Sequence, residues 1–235
     1  MSDRRYHILS TAALPFDRIQ HIPETIEVSV VPFIKIIPCI GVELKPLIHE
    51  FASEKKVVVF TSAHAAKYVG ESLKIKPNWE IFCIRNETRI AVENFFGSES
   101  IVAYAENAFS LSRMMITNKV KEAVFFCGDQ RMDILPDNLR KNNIGLTELI
   151  VYETKLTPVR LKDTPDAILF FSPKAAESFF SLNHLEAETH VFAMGKTTAA
   201  ALNNLTTNKI IISPEADKAY VFNMAVEYAT SHPIT

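Results

Sequence analysis

Five hydroxyl side chains lie where an apolar run of the sequence gives way to a helical pattern. They are Ser62, Thr88, Ser172, Thr197 and Thr198. A helix begins with unpaired N–H groups and a partial positive charge, so such corners bind anions. A serine or threonine there also caps its own helix, and capping accounts for any one of these residues taken alone. As a set repeated in both halves of the chain, they favour a binding site for an anionic ligand.

Basic residues stand beside three of these corners. Lys174 and Lys196 fall at predicted helix starts, and Arg85 lies just before Thr88. A lysine at the start of a helix opposes the helix dipole, so helix stability does not explain its presence there. An anionic ligand would explain both lysines, and a solvent-facing charge is the alternative for each.

Several well-known sites are excluded by residues that the sequence lacks. It has six glycines and neither GxGxxG nor GxxxxGK[ST], so no Gly-rich loop cradles a phosphate. Its seven histidines have no HExxH or similar spacing, which predicts that there is no metal site. GxSxG is missing, and His64, near Ser62, is interpreted as a surface histidine rather than as part of a Ser-His-acid set.

Composition narrows the partners and the compartment. The 235 residues include 25 basic and 27 acidic ones, a formal net charge of −2, which disfavours nucleic acid and anionic membranes as partners. Three scattered cysteines without CxxC spacing fit a reducing compartment. The sequence has no secretory signal and no apolar run near the roughly 20 residues of a membrane helix, so we expect a cytoplasmic protein.

Short apolar runs rich in β-branched and aromatic residues alternate with amphipathic stretches along the chain. This alternation predicts βαβ units and a parallel sheet with helices on both faces. The first run, YHILST (6–11), is typical of a strand. The segment IEVSVVPFIKIIP (26–38) contains prolines, so we expect it at a sheet edge or in a connection.

The sequence repeats itself at an offset of 110 residues (170 − 60). FTSAHAA (60–66) matches FFSPKAA (170–176), and IRNETRIAVEN (84–94) falls on MGKTTAAALNN (194–204). Successive strand–helix units in one register indicate two similar halves.

The second copy has too few strands to complete a sheet by itself. We therefore predict that the N-terminal strand, followed by a helix, completes the C-terminal copy. One domain then comprises 1–36 and 157–235, the other comprises 40–153, and the chain crosses through 33–40 and 152–159 as a two-stranded linker. The predicted fold is α/β, with two parallel-sheet domains and a cleft between them, and ligands bind at the carboxyl ends of such strands.

Tyr152, in the segment LIVYETK, lies just before the second crossing, where its side chain could reach the cleft. A phenol with a pKa of about 10 can donate a proton to a departing hydroxide. Anchoring of the linker by packing and one hydrogen bond is an equally good explanation for this tyrosine.

Five segments in this order resemble the uroporphyrinogen-III synthase family: FTSAHA, RNETRIAV, GLTELIVYET, FFSPKAAESF and AMGKTTAAAL. The resemblance covers residues 40 to 205 well and the two ends weakly. It implies two flavodoxin-like domains joined by a two-stranded linker. It also implies a cyclising lyase without a cofactor, which converts hydroxymethylbilane to uroporphyrinogen III with inversion of ring D and loss of water, in tetrapyrrole and haem biosynthesis.

The resemblance also implies roles for individual residues. Tyr152 matches the tyrosine that is proposed to assist the departure of hydroxide. Ser62 and Thr88 match polar residues of one domain's cleft wall, and Ser172 and Thr197 match those of the other.

Two positions depart from the family pattern. Thr11 matches a threonine after the N-terminal strand and is expected to bind substrate, but Ala12 stands where an arginine usually follows. The glycine of the second GxxT corner is present as Gly195, whereas Arg85 replaces it in the first corner.

The expected partner is a small polycarboxylate, since hydroxymethylbilane carries eight carboxylates, and the chain is expected to be monomeric. Lys174 and Lys196 stand where many relatives have small residues or proline, so their assignment to substrate binding rests on their charge. The alternative function is a two-lobed, non-catalytic binding or sensor protein for a small anion. Such a protein has no need of a proton donor at Tyr152, which discriminates the two.

Overall fold

The computed structural model describes residues 4–19 and 21–232, without the side chain of Arg18. The strands are β1 Tyr6–Ser10, β2 Ile26–Val30, β3 Ile34–Pro38, β4 Lys56–Phe60, β5 Trp79–Ile84, β6 Ile101–Ala105, β7 Glu122–Gly128, β8 Gly145–Leu156, β9 Ala167–Phe170, β10 His190–Ala193 and β11 Ile210–Ile212. The α-helices are α1 Leu44–Ala52, α2 Ala63–Ser72, α3 Glu87–Phe96, α4 Ala108–Thr117, α5 Ile134–Lys141, α6 Pro173–Phe180, α7 Lys196–Leu202 and α8 Lys218–Ser231. None of the helices in this described part is long and apolar enough to cross a membrane.

The chain divides into two compact units. The first comprises Met1–Lys35 and Lys155–Thr235, and the second comprises Ile36–Thr154. Both boundaries fall inside strands, so the chain enters the second unit within β3 and leaves it within β8. These two strands are neighbours in one sheet.

The first unit contains a parallel sheet in the order β2-β1-β9-β10-β11. Its strand β1 lies inside the sheet, because Ile8 is opposite Val28 on one side and Ala167 on the other. The N-terminal strand therefore completes the sheet that the C-terminal repeat begins. In chain order this arrangement is 2-1-3-4-5, the order of flavodoxin.

The other sheet has the order β6-β5-β4-β7-β8-β3, and its β4 to β8 pairs are parallel. Shifted by the repeat offset, β4, β5 and β6 fall on β9, β10 and β11. Both sheets therefore place equivalent strands in the same spatial order, and the chain connects them in the same order through equivalent helices.

The repeat also includes one further helix in each copy. Helices α4 and α8 begin at Ala108 and Lys218, again at the repeat offset (218 − 108 = 110). Each follows a side chain that caps it: the Asn107 side chain accepts a hydrogen bond from the Ser110 N–H at 2.9 Å, and that of Asp217 accepts one from the Tyr220 N–H at 3.0 Å. Such caps satisfy N–H groups that have no partner inside the helix.

One expectation about the N-terminal region is wrong and another is confirmed. The helix predicted after β1 is not found, since the residues described between β1 and β2 include only the 3₁₀ turn Phe16–Arg18. Pro15 and Pro23 flank this turn, and proline inside a helix removes a hydrogen bond and clashes with the preceding turn. The extended run 26–38 is divided at Pro32 into β2 and β3, which are edge strands of different sheets.

Helices pack on both faces of each sheet, as the apolar strands predict. In the second unit, Val58 and Phe60 of β4 pack with residues of α2 and α3, whereas Val59 packs with residues of α4 and α5. In the first unit, Phe170 packs with α6 and α7, and Leu169 packs with α8. All five side chains are fully buried. Burial of one such side chain contributes about 1.5–3 kcal/mol to folding.

The corner before α3 is strained, and the one before α7 is not. Asn86, the N-cap of α3, has φ 65° and ψ −132°, in a region that favours glycine. Gly195, the N-cap of α7, has φ −178°, an extended conformation that any residue adopts. The strained residue therefore lies next to Arg85, and the position that Arg85 shares with Gly195 in the repeat does not itself demand glycine.

Replacing Asn86 by glycine should raise the free energy of unfolding by about 1 kcal/mol, because glycine adopts this φ without a steric penalty. Urea unfolding followed by circular dichroism measures the change. The matched control is Asn94→Gly, at an exposed helical position of the same helix, where the same replacement should cost roughly 0.3 kcal/mol. A destabilised Asn86→Gly protein would contradict the inferred strain.

Candidate functional site

Three adjacent strands of the second unit end at one edge of their sheet and bring Ser62, Gly128 and Tyr152 together. The strands β4, β7 and β8 are neighbours and parallel, so their carboxyl ends lie at the same edge. Ser62 is the N-cap of α2 directly after β4, and Tyr152 is opposite Gly128 in β8. The Tyr152 hydroxyl donates a hydrogen bond to the Ser62 Oγ at 2.9 Å.

The absence of a side chain at Gly128 makes room for the tyrosine ring. A Cβ atom at Gly128 would lie 2.3 Å from the Tyr152 Cζ, closer than real contacts allow. The residue after it, Asp129, holds the backbone of β8 at Tyr152 and at Thr154. Its N–H donates to the Tyr152 carbonyl at 3.1 Å, and its carboxylate accepts from the Thr154 N–H at 3.0 Å.

Two ring side chains of α2 lie beside Tyr152. The His64 ring lies edge-on to it with centroids 5.8 Å apart, and the Tyr68 ring lies 6.4 Å away. Stacking and edge-on contacts of this kind restrict the orientation of a tyrosine ring. His64 is exposed, as expected for a surface histidine, but it is also a neighbour of the tyrosine.

The environment of Tyr152 keeps its phenol protonated. Partial burial of the side chain raises its pKa above the ordinary value of 10.0, and the hydrogen bond with Ser62 opposes this shift only in part. At neutral pH the group is therefore a neutral donor, and it loses its proton only in strongly alkaline solution.

A cavity of about 240 Å³ within the second unit is lined in part by Tyr152 and Ser62. Its polar lining comes from Thr61, Ser62, Gln130, Arg131 and Tyr152. Its apolar lining includes Ile84, Ala108, Phe125, Met132 and Leu135. Arg131 is not among the site residues predicted from the sequence, although its position shortly after an apolar strand could have indicated it.

Arg131 is held by two carboxylates. Its Nε forms an ion pair with Glu148, on β8, and its Nη1 forms another with Asp133, which precedes α5. The guanidinium therefore has a defined position at the wall of the cavity.

The two corner serines use their hydroxyls differently. The Ser172 Oγ accepts a hydrogen bond from the Ala175 N–H at 3.2 Å, so Ser172 caps α6. Ser62 makes no side-chain cap to α2, and its Oγ is bonded to Tyr152 instead. Capping therefore explains Ser172, whereas it does not explain Ser62.

The predicted threonines differ in accessibility. Thr88 and Thr198 are buried in the first turns of α3 and α7, whereas Thr197 is exposed. Thr11 is fully buried, and its hydroxyl donates to the Leu169 carbonyl at 2.7 Å. Among these residues, Thr197 presents its side chain to solvent.

Two of the three basic residues at the corners form ion pairs with acidic neighbours. The Lys174 ammonium lies 2.7 Å from the carboxylate of Glu177, one turn along α6, and Arg85 forms an ion pair with Glu106. The pair with Glu177 offsets the unfavourable position of Lys174 at a helix start. Lys196 is exposed at the first position of α7.

The cysteines and the metal-ligating side chain types of the described residues add no second candidate site. Burial raises the pKa of the Cys83 and Cys127 thiols to about 11. Within residues 4–19 and 21–232, no group of three His, Cys, Asp or Glu side chains could hold a metal ion.

The chain was compared with known families, proteins and structures. A family model described as uroporphyrinogen-III synthase HemD matches residues 24–222. No curated protein matched. The fold is similar to that of uroporphyrinogen-III synthetase from Helicobacter pylori, with a TM-score of 0.67 and 18% identity over 95% of this chain and 99% of the other. It is also similar to a mutant uroporphyrinogen III synthase from the extremely thermophilic bacterium Thermus thermophilus, with a TM-score of 0.62 and 12% identity over 96% and 99%.

A double-mutant cycle tests the different uses of the two serines. Ser172→Ala should lower the free energy of unfolding by about 1 kcal/mol whether residue 152 is tyrosine or phenylalanine, because its hydrogen bond lies within its own helix. Ser62→Ala should cost about 1 kcal/mol only while the Tyr152 hydroxyl is present. Urea unfolding of the single and double variants measures both couplings. Equal coupling of the two serines to Tyr152 would show that the difference is not real.

Proposed function

Because the chain belongs to the uroporphyrinogen-III synthase family, we propose that it closes hydroxymethylbilane into uroporphyrinogen III, with inversion of ring D and release of water. The observation that carries the assignment of chemistry is the Tyr152 hydroxyl, hydrogen-bonded to Ser62 beside a partly polar cavity. The reaction is a cyclising elimination of water, so the enzyme is a lyase of tetrapyrrole biosynthesis. We propose that it works without a cofactor, as a monomer, in the cytoplasm.

The phenol of Tyr152 assists the first bond cleavage. The carbon–oxygen bond of the hydroxymethyl group on ring A breaks, and the departing hydroxide takes the phenol proton and leaves as water. The loss of hydroxide leaves the azafulvene with a positive charge. As the phenol gives up its proton, the Ser62 hydroxyl can turn and donate to the phenolate oxygen, which stabilises the charge there.

The remaining steps return the proton. The substituted α-carbon of ring D attacks the methylene carbon of the azafulvene and forms a spiro intermediate. The bond from that carbon to the methylene of ring C then breaks, which leaves an azafulvene on ring C, and the free α-carbon of ring D attacks it so that the ring closes with ring D inverted. The α-carbon of ring D that attacks in the final closure loses its proton, which restores the phenol of Tyr152. The protein's main task is to hold the substrate in the shape that favours this route over direct closure.

Corner residues of each unit are proposed to meet the substrate's carboxylates. In the second unit these are Ser62 and the N–H groups at the start of α2 and α3, including the backbone N–H of the buried Thr88. In the first unit they are Ser172, Thr197 and the backbone N–H of the buried Thr198, at the start of α6 and α7. Lys174 and Lys196 add positive charge at those two helix starts, and Thr11 supports the end of β1.

Replacing Tyr152 by phenylalanine should lower the rate of enzymatic uroporphyrinogen III formation by on the order of 10²-fold, the lower range for loss of a general acid. Because burial raises the pKa of Tyr152, the wild-type rate should not fall from deprotonation of this phenol until above pH 10. Freshly prepared hydroxymethylbilane and separation of isomers I and III measure both effects.

The matched control is Tyr220→Phe, at an exposed position of α8, which should leave the rate unchanged. An unchanged rate in Tyr152→Phe would remove the role of this tyrosine while leaving the family's reaction in place. Only isomer I, the spontaneous product, from the wild-type protein would overturn the function itself.

Gly128→Ala tests whether the position of the tyrosine matters as well as its hydroxyl. The new Cβ must displace the Tyr152 ring, so we expect the rate of isomer III formation to fall by roughly tenfold or more, in line with the sensitivity of catalysis to misplaced groups. Gly41→Ala is the control, since a Cβ there meets no atom within 4 Å. Full activity in Gly128→Ala, with the protein folded, would contradict the positional role.

A further inference from the structure

We propose that the cavity beside Tyr152 binds one pyrrole ring of the substrate and that Arg131 holds a carboxylate side chain of that ring. The inference rests on the proposed function and adds to it a substrate-binding residue and a place for one ring. The juxtaposition behind it is that Arg131 and Tyr152 line the same cavity.

The size of the cavity sets what can enter it. Its volume of about 240 Å³ is below the range of about 300–1,000 Å³ that is usual for drug-sized ligands. A whole tetrapyrrole therefore does not fit, whereas a single substituted pyrrole ring is of the right order.

The lining of the cavity matches the two parts of such a ring. Apolar side chains, among them Ile84, Phe125 and Leu135, can contact the faces of the aromatic ring. Its acetate or propionate side chain needs a cation or hydrogen-bond donors, and Arg131 with Gln130 supplies them. A ring bound here would lie beside Tyr152, so we propose that it is the ring that carries the hydroxymethyl group.

Glu148 keeps the guanidinium in position. The side chain of Glu148 is 24% exposed and that of Arg131 is 26% exposed, and their ion pair links the loop after β7 to β8. Since the pair engages the Nε of Arg131, it orients the plane of the guanidinium. Glu148 is therefore a positioning residue.

Asp133 occupies the side of the guanidinium that a ligand can take. Its side chain is 74% exposed, and it pairs with the Nη1 of Arg131. An ion pair with so exposed a carboxylate adds little stability. A substrate carboxylate can replace Asp133, and because a guanidinium binds carboxylates in a two-pronged geometry, it can gain two parallel hydrogen bonds.

This arrangement predicts effects of opposite sign for two variants. Arg131→Gln should raise the KM for hydroxymethylbilane about tenfold, the size expected for losing hydrogen bonds from a charged group. Asp133→Asn should lower the KM roughly two- to fivefold, because the competing carboxylate is gone while asparagine still suits the start of a helix. Arg113→Gln, at an exposed arginine of α4, is the matched control and should leave KM unchanged.

Steady-state kinetics with separation of the isomers gives the answer, with thermal unfolding measured for each variant. A higher KM in Arg131→Gln together with a lower one in Asp133→Asn supports the proposal. An unchanged KM in Arg131→Gln overturns it, and so does a rise in KM in both variants, which a purely structural ion-pair cluster would give. In either case the wild-type protein would still form isomer III, so the proposed function would stand.

Discussion

The insertion of β1 between β2 and β9 is the constraint on which the rest of the fold depends. Ile8 and Leu9 of this strand are buried in a sheet whose other strands, apart from β2, come from the C-terminal third of the chain. The first unit is therefore incomplete until the chain has returned from the second, which makes Ile36–Thr154 an insertion. Since the entropy of loop closure rises only slowly with length, an insertion of this size is tolerated.

The same insertion explains why equivalent positions of the two sheets hold different kinds of residue. In the second unit Val124 of β7 lies opposite Val58, and in the first unit Leu9 lies opposite Ile168, the residue that matches Val58 in the repeat. Two residues further along, Thr11 holds the place in its sheet that Phe126 holds in the other. Thr11 is buried for this reason, and its hydroxyl bonds to a strand carbonyl.

The sequence predicts the fold better than it predicts the site. Near-continuous apolar runs and a repeat of corner residues in one register indicate the parallel sheets, and the strand shortage of the second copy indicates where β1 lies. The hydrogen bond between Ser62 and Tyr152 joins residues far apart in the chain, and a serine at a helix start can equally turn inward to cap it, as Ser172 does. Which rotamer wins depends on the neighbouring strand, so spacing along the chain does not decide it. The sequence does not predict Arg131 for a similar reason, because the role that we propose for it depends on the cavity that it lines.

The weak acid that we propose at Tyr152 suits a substrate that forms its azafulvene readily. Such a substrate needs to be held in the productive shape and needs a proton only at the departing hydroxide. Burial keeps the proton on Tyr152 at neutral pH, and Ser62 supplies a partner for the oxygen whether it is protonated or not. Both depend on the ring lying against β7, which requires the missing side chain at Gly128. The glycine at the end of a central strand thus connects the packing of the sheet to the position of the proton, while the stabilising groups lie in strands and helix starts that the fold already holds rigid.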